Sequence, residues 1–242
     1  MIGAIRFHLY DVLSKRTRII LTGFMVLIAL IFMALTRFYA TQTQQLLDGA
    51  TWCDDYIFEG LTILKLGTLM LCAFCGIRLW FYAAGDLALV QRIGVIKLTL
   101  SKVIAAWLFG MVMMTLFVMM FLTIGSLFGR TFERFSPWSM WWRLSLFTSY
   151  YAVLSALLAV TIRHIFSQLA MVFGWFVSDV LIDMGIDATS ISTPALLINA
   201  FFVNIHINHE WYLTMLMHGG YIVMMMGLWV VVTMIVQAQR DF

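Results

Sequence analysis

Apolar positions in this chain run on for 18 residues or more at a time, rather than recurring at the three- and four-residue intervals of a half-buried helix. Runs of that length are what helices need to cross the roughly 30 Å hydrocarbon core of a bilayer. Six are read, at about 19–36, 57–79, 103–127, 142–162, 165–184 and 213–236. A further apolar stretch, 191–203, is shorter and carries Pro194 and Asn199, with Asn204 just beyond it. Too short to span, it is expected to form a re-entrant or interfacial hairpin within an outer loop at 187–211. The expected fold is all-α, a single polytopic membrane domain over 1–242.

Composition agrees with the pattern. Of 242 residues, 63% are hydrophobic and 11% charged, whereas soluble domains sit near half and a quarter. A soluble enzyme, a disordered chain and a disulfide-framed secreted module are excluded. The net charge of +3 is too slight to point to nucleic acid. The placement of charge says more. With the N-terminus inside, Arg6, Lys15, Arg16, Arg18, Arg78, Arg92, Lys97, Lys102, Arg163 and Arg240 fall inside, against Arg37, Lys65, Arg130, Arg134 and Arg143 outside. This excess predicts that both termini are cytoplasmic. Asp48, Asp54, Asp55, Glu59, Glu133, Asp187 and Glu210 fall outside. Trp52, Trp138, Trp141, Trp142 and Trp211 lie near the outer boundary, as an aromatic belt would. The basic start followed by a long run reads as a signal anchor.

Two segments are more than connectors. Residues 1–18 form an expected amphipathic helix, with Ile2, Ile5, Leu9, Val12 and Leu13 on one stripe, lying in the inner interface of the lipid bilayer. Residues 84–102 join the second and third spans. There Leu87, Val90, Ile93 and Lys97 follow helical spacing, Asp86, Arg92 and Lys102 supply charge, and Gly85 and Gly94 punctuate the run. A short helix here would present a compact surface to a soluble partner.

At this segment the chain resembles the ABC-2 permease family, the membrane subunits of type V ABC exporters. The matching residues are Asp86, then Gly94-Val95-Ile96-Lys97-Leu98, then Ser101 and Lys102. The family's Pro-Ile-Ser-Arg element before the final Lys is absent. Small members of the family include permeases for antimicrobial-peptide export or self-immunity in bacteria. The resemblance implies a coupling helix seated in a cleft of a separate ATPase. Gly85, Asp86, Val90, Arg92, Ile93, Gly94 and Lys97 would form the coupling surface. Two ATPase subunits would bind ATP and Mg, and a second permease copy or a paralogue would complete the pathway through the cell membrane. Independently of family, the chain has no GxxxxGK[ST] phosphate loop, so any ATPase must be another polypeptide.

Other candidate chemistry is weaker. Asp179 and Asp183 stand four residues apart at the outer half of the fifth span, where acids suit a substrate pathway for a cationic group. They serve equally as wet residues beyond a shorter span. Lys65 and Glu59 are expected to pair or to snorkel outward. Cys72 and Cys75 read as small residues at a helix contact rather than a metal or redox pair. His206, His209 and Glu210 lack the HExxH spacing of a zinc enzyme and read as an interfacial loop. The Met runs at 111–114, 119–120 and 224–226 point in different directions around their helices, which favours adaptable packing over a copper site. No GxSxG elbow is present, so a membrane enzyme is disfavoured. The expectation is an exporter subunit for an amphipathic peptide, a lipid-like or a drug-like molecule, with no catalytic residues of its own. The alternative is an ATP-independent secondary transporter or channel, disfavoured by nearly charge-free central spans and the lack of an internal repeat.

Overall fold

The computed structural model describes residues 1–43, 51–81, 86–127, 137–162, 164–183 and 211–240, and every regular element among them is helical. In chain order these are α1 (Ile2–Val12), α2 (Lys15–Thr43) and α3 (Thr51–Gly76), which widens into a π-turn at Ile77–Phe81. Next come α4 (Asp86–Ile93), α5 (Val95–Leu127), α6 (Pro137–Thr161), α7 (Phe166–Asp183) and α8 (Trp211–Arg240). Five of them hold segments long and apolar enough to cross a bilayer: Lys15–Phe38, Gly60–Trp80, Val95–Leu127, Met140–Thr161 and Ile222–Gln239. Within α7, the segment expected as the fifth span, the apolar stretch Phe166–Val177 is shorter. The expected outer loop at 187–211, with its re-entrant stretch 191–203, lies outside the described residues but for Trp211, which opens α8.

Three helices make the centre. α3, α5 and α6 pack on one another, and each groove between two of them takes one outer helix: α2 against α3 and α5, α7 against α3 and α6, α8 against α5 and α6. Lipid is as apolar as leucine, so helices in a membrane associate by close fit and by polar contacts rather than by expelling water. The centre shows both. Phe121 and Phe117 of α5 enter the places left by Gly60 and Gly67 of α3, where an added Cβ would stand 2.2 and 3.3 Å from the rings. Gly110 lets α5 meet Thr148 of α6 in the same way. Three buried hydroxyls return to their own helices, Thr36 to the Phe32 carbonyl at 2.6 Å, Thr148 to Leu144 at 2.7 Å and Thr233 to Trp229 at 2.7 Å, which satisfies these donors without water.

A polar clamp crosses α3, α6 and α7. Ser155 Oγ lies 2.9 Å from the Cys72 carbonyl and 2.7 Å from Gln168 Oε1, and Gln168 Nε2 donates to the Ser155 carbonyl at 3.0 Å. The clamp closes on Gly76, the last α-helical residue before the π-turn. Cys72 and Cys75 are buried free thiols at these helix contacts, Cys72 Sγ lying 3.7 Å from the Thr148 carbonyl. This is the packing place expected of them.

The outer faces are apolar. Ile20, Leu27 and Leu30 of α2, Leu169 and Phe173 of α7, and Val223, Met224 and Leu228 of α8 are exposed. An apolar surface of this extent is stable only against lipid or another apolar body. The chain is a helical membrane-embedded protein. The Met residues do diverge: Met114 is fully buried while Met119 and Met224 face outward. Trp138 stacks on Trp141, whose indole N–H donates to Thr115 Oγ1 at 2.9 Å.

Three expectations need correction. The N-terminal helix stops at Val12 and turns at Leu13 and Ser14 before α2 begins, instead of running through residue 18. Its packed ridge is Ala4, His8 and Val12, about a quarter turn from the predicted apolar stripe, and Ile2 is 83% exposed. Of the predicted stripe Val12 is buried and Ile5 and Leu9 are half-buried, while Ile2 and Leu13 face outward. Lys65 does not snorkel outward. It is 4% exposed and points its ammonium at the ring of Trp175 on α7, 5.6 Å from the centroid. The side chain of Glu59 lies outside the described residues.

Candidate functional site

Within the segment 84–102, the described residues from Asp86 onward form two helices with a joint between them. α4 carries Asp86 in its first turn and Arg92 in its last, each on the side the helix dipole favours. It ends because Gly94 takes φ +78°, a left-handed conformation open to glycine at little cost. The Gly94 N–H closes the helix on the Val90 carbonyl at 2.9 Å, and the Gly94 carbonyl opens the next by accepting from Leu98 N–H at 3.1 Å. From Val95 the chain is already α5. A helix of 33 residues is about 50 Å long, against a core of roughly 30 Å, so it is longer than one perpendicular crossing requires. Gly94→Ala should cost about 1–2 kcal/mol through the left-handed backbone alone, since a Cβ there meets nothing within 4 Å. Thermal unfolding in detergent would read it as a lowered midpoint. An unchanged midpoint would mean the joint is not held in this conformation.

What keeps α4 on α5 is a buried ion pair. Lys102, 3% exposed, bonds Asp86 Oδ2 and lies over the indole of Trp80, 4.8 Å from the ring centroid. A lysine so enclosed requires a partner, because the desolvated ammonium is otherwise far costlier than the pair. Asp86 therefore points into the bundle and anchors α4. Gln91, Arg92, Gly94 and Lys97 are exposed, as is Ile96, and Val90 and Ile93 are half-buried along the underside. Gly85 lies outside the described residues.

The π-turn and α1 complete this end of the bundle. Arg78 donates from Nη2 to the Asp11 carbonyl at 3.2 Å and pairs with Asp11 Oδ1 at 3.4 Å. A cation at the last carbonyls of α1 is well placed electrostatically. One turn before Asp11 on α1, His8 is fully buried. Burial and the Lys102 ammonium push its pKa from 6.5 down to about 4, against a partial lift from Asp86. Six groups thus converge from four elements: His8 and Asp11, Arg78 and Trp80, Asp86, and Lys102. Sequence reasoning picked out Asp86 and Lys102 but missed His8, Arg78 and Trp80. His8 had a signal, standing four residues from both Ala4 and Val12 on one ridge. π-turns interrupt helices most often at functional places, and nothing in the local residues 77–81 announces this one.

Asp179 and Asp183 fall in the last turns of α7, four residues apart, and their side chains lie outside what is described. His206, His209 and Glu210 lie outside it too. Among the described residues no three His, Cys, Asp or Glu side chains group as metal ligands would. No family model matches the chain, and neither a curated protein nor a solved structure does.

Proposed function

We propose that this chain is the membrane subunit of an ATP-driven exporter of the ABC-2 type, with α4 as its coupling helix. The observation that carries the reading is a short helix pinned to the start of a long apolar helix by a buried ion pair, with Arg92 and Lys97 turned outward. A soluble motor needs such a handle: rigid against the membrane part, and exposed and basic on the other side. In this reading α7 completes six spans, both termini are cytoplasmic and the membrane is the cell membrane of a bacterium. ATP and Mg are bound by two separate ATPase subunits. The pathway forms between two copies, or one copy and a paralogue, and carries an amphipathic peptide, a lipid-like or a drug-like molecule. Asp179 and Asp183 would face it. The alternative of an autonomous secondary transporter or channel draws its support from Lys65, a cation buried between α3 and α7.

The test reverses the charge of the handle. Arg92→Glu with Lys97→Glu should leave membrane insertion and yield intact, and should remove a stoichiometric ATPase from a mild-detergent pull-down. Both residues are exposed, so the fold has little to lose. Recovery of the wild-type protein alone, in detergents that keep other complexes together, would shift the reading to the autonomous transporter.

A further inference from the structure

The polar cluster beneath α1 has a property that coupling does not require. Neither ring nitrogen of His8 has a hydrogen-bond partner among the described residues, and the same holds for Asp11 Oδ2, Arg78 Nε, Trp80 Nε1 and Asp86 Oδ1. Buried polar groups are nearly always satisfied, and leaving one without a partner is unfavourable. Release of α1 would let water reach these atoms and supply the hydrogen bonds they lack. The charged groups acting on the imidazole are Lys102 on α5 and Asp86 on α4, and the Asp11–Arg78 pair lies one turn further along α1. Both anions are already engaged by Arg78 and Lys102, so a second proton on the ring would place a new cation beside a buried ammonium without a free counter-ion.

We propose that His8 and the ion pairs around it form an acid-released latch, in which a neutral imidazole lets α1 seat against α5 and the π-turn, and protonation of His8 frees α1 from the bundle. The inference rests on the packing of α1 alone and stands whether or not α4 couples to an ATPase.

The direction follows from linkage. The pKa of His8 is about 4 in the seated form against 6.5 in water, so seating is favoured in full above 6.5. That advantage is lost progressively as pH falls from 6.5 towards 4. Between pH 7.5 and 5.5 the release equilibrium shifts by about tenfold.

Hydrogen exchange of the full chain in lipid nanodiscs tests this, with α1 amide protection corrected for intrinsic exchange. Protection over Ile5–Val12 should fall about tenfold from pH 7.5 to 5.5 while α5 and α6 hold theirs. In His8→Gln the dependence should vanish, and in His164→Gln, an exposed histidine on the turn before α7, it should persist. Protection in the wild-type protein that is flat across the window overturns the proposal without any variant. So does a dependence that survives in His8→Gln. If that variant does not fold, the onset of the wild-type profile decides: a loss of protection that sets in near pH 6.5 and grows towards about 4 supports the latch, and a loss confined below about pH 5 overturns it.

Discussion

Asp86→Ala is expected to lower stability by about 3 kcal/mol, because it leaves the Lys102 ammonium enclosed without its anion. Removing one partner of a buried pair costs about 3–5 kcal/mol. The low end applies because Asp86 keeps 29% of its side-chain exposure and some solvent screening. The loss belongs to Lys102 rather than to the missing contact, which gives the prediction its test. Lys102→Met on the Asp86→Ala background should recover most of it, since an apolar chain of similar length suits the same enclosure against Trp80. Unfolding midpoints of the two single variants and the double one form the cycle. If Asp86→Ala and the double variant unfold together, the pair is not what seats α4. In the coupling reading, Asp86→Ala would also uncouple, through a loosened handle rather than a lost contact with the ATPase.

Gly76→Ala is the second large effect, at about 3 kcal/mol, the upper end of what overpacking costs. The added Cβ would stand 2.1 Å from Ser155 Oγ and 2.8 Å from Gln168 Oε1. Both side chains are tied into the clamp, Ser155 Oγ to the Cys72 carbonyl and Gln168 through Nε2, which donates to the Ser155 carbonyl. Neither can move without breaking a hydrogen bond in a place water does not reach. Ser155→Ala removes the nearer obstacle and should restore about half of the loss in the double variant. A Gly76→Ala protein with a wild-type midpoint would show that α3 and α6 do not approach this closely at the root of the π-turn.

Helix positions were legible in the chain because a bilayer leaves the backbone one economical solution. Each spanning segment must satisfy its own N–H and C=O groups, so run length and hydropathy suffice to find it. The predicted runs 19–36, 103–127 and 213–236 fall within α2, α5 and α8. Gly94 was legible as punctuation, since it alone takes a positive φ there among the described glycines. Asp86 and Lys102 were marked by their spacing, though Asp86 was assigned to a partner when its bond runs inward.

Chain composition and run length by themselves determined that this is a helical membrane protein, where its long helices fall, and that an exposed basic segment sits between two of them. Tertiary structure alone decided which side chains those helices turn toward each other. The Arg78–Asp11 pair joins residues 67 apart in the chain, and the Ser155–Cys72 bond residues 83 apart. No local pattern encodes them. His8 reads in sequence as one polar residue beside an apolar stripe, and becomes a buried, poised imidazole only once α5 and the π-turn close over it. The cause is general: the solvent acts on each residue separately and so leaves its mark in composition, while contact between helices acts on pairs, whose partners the chain does not place side by side.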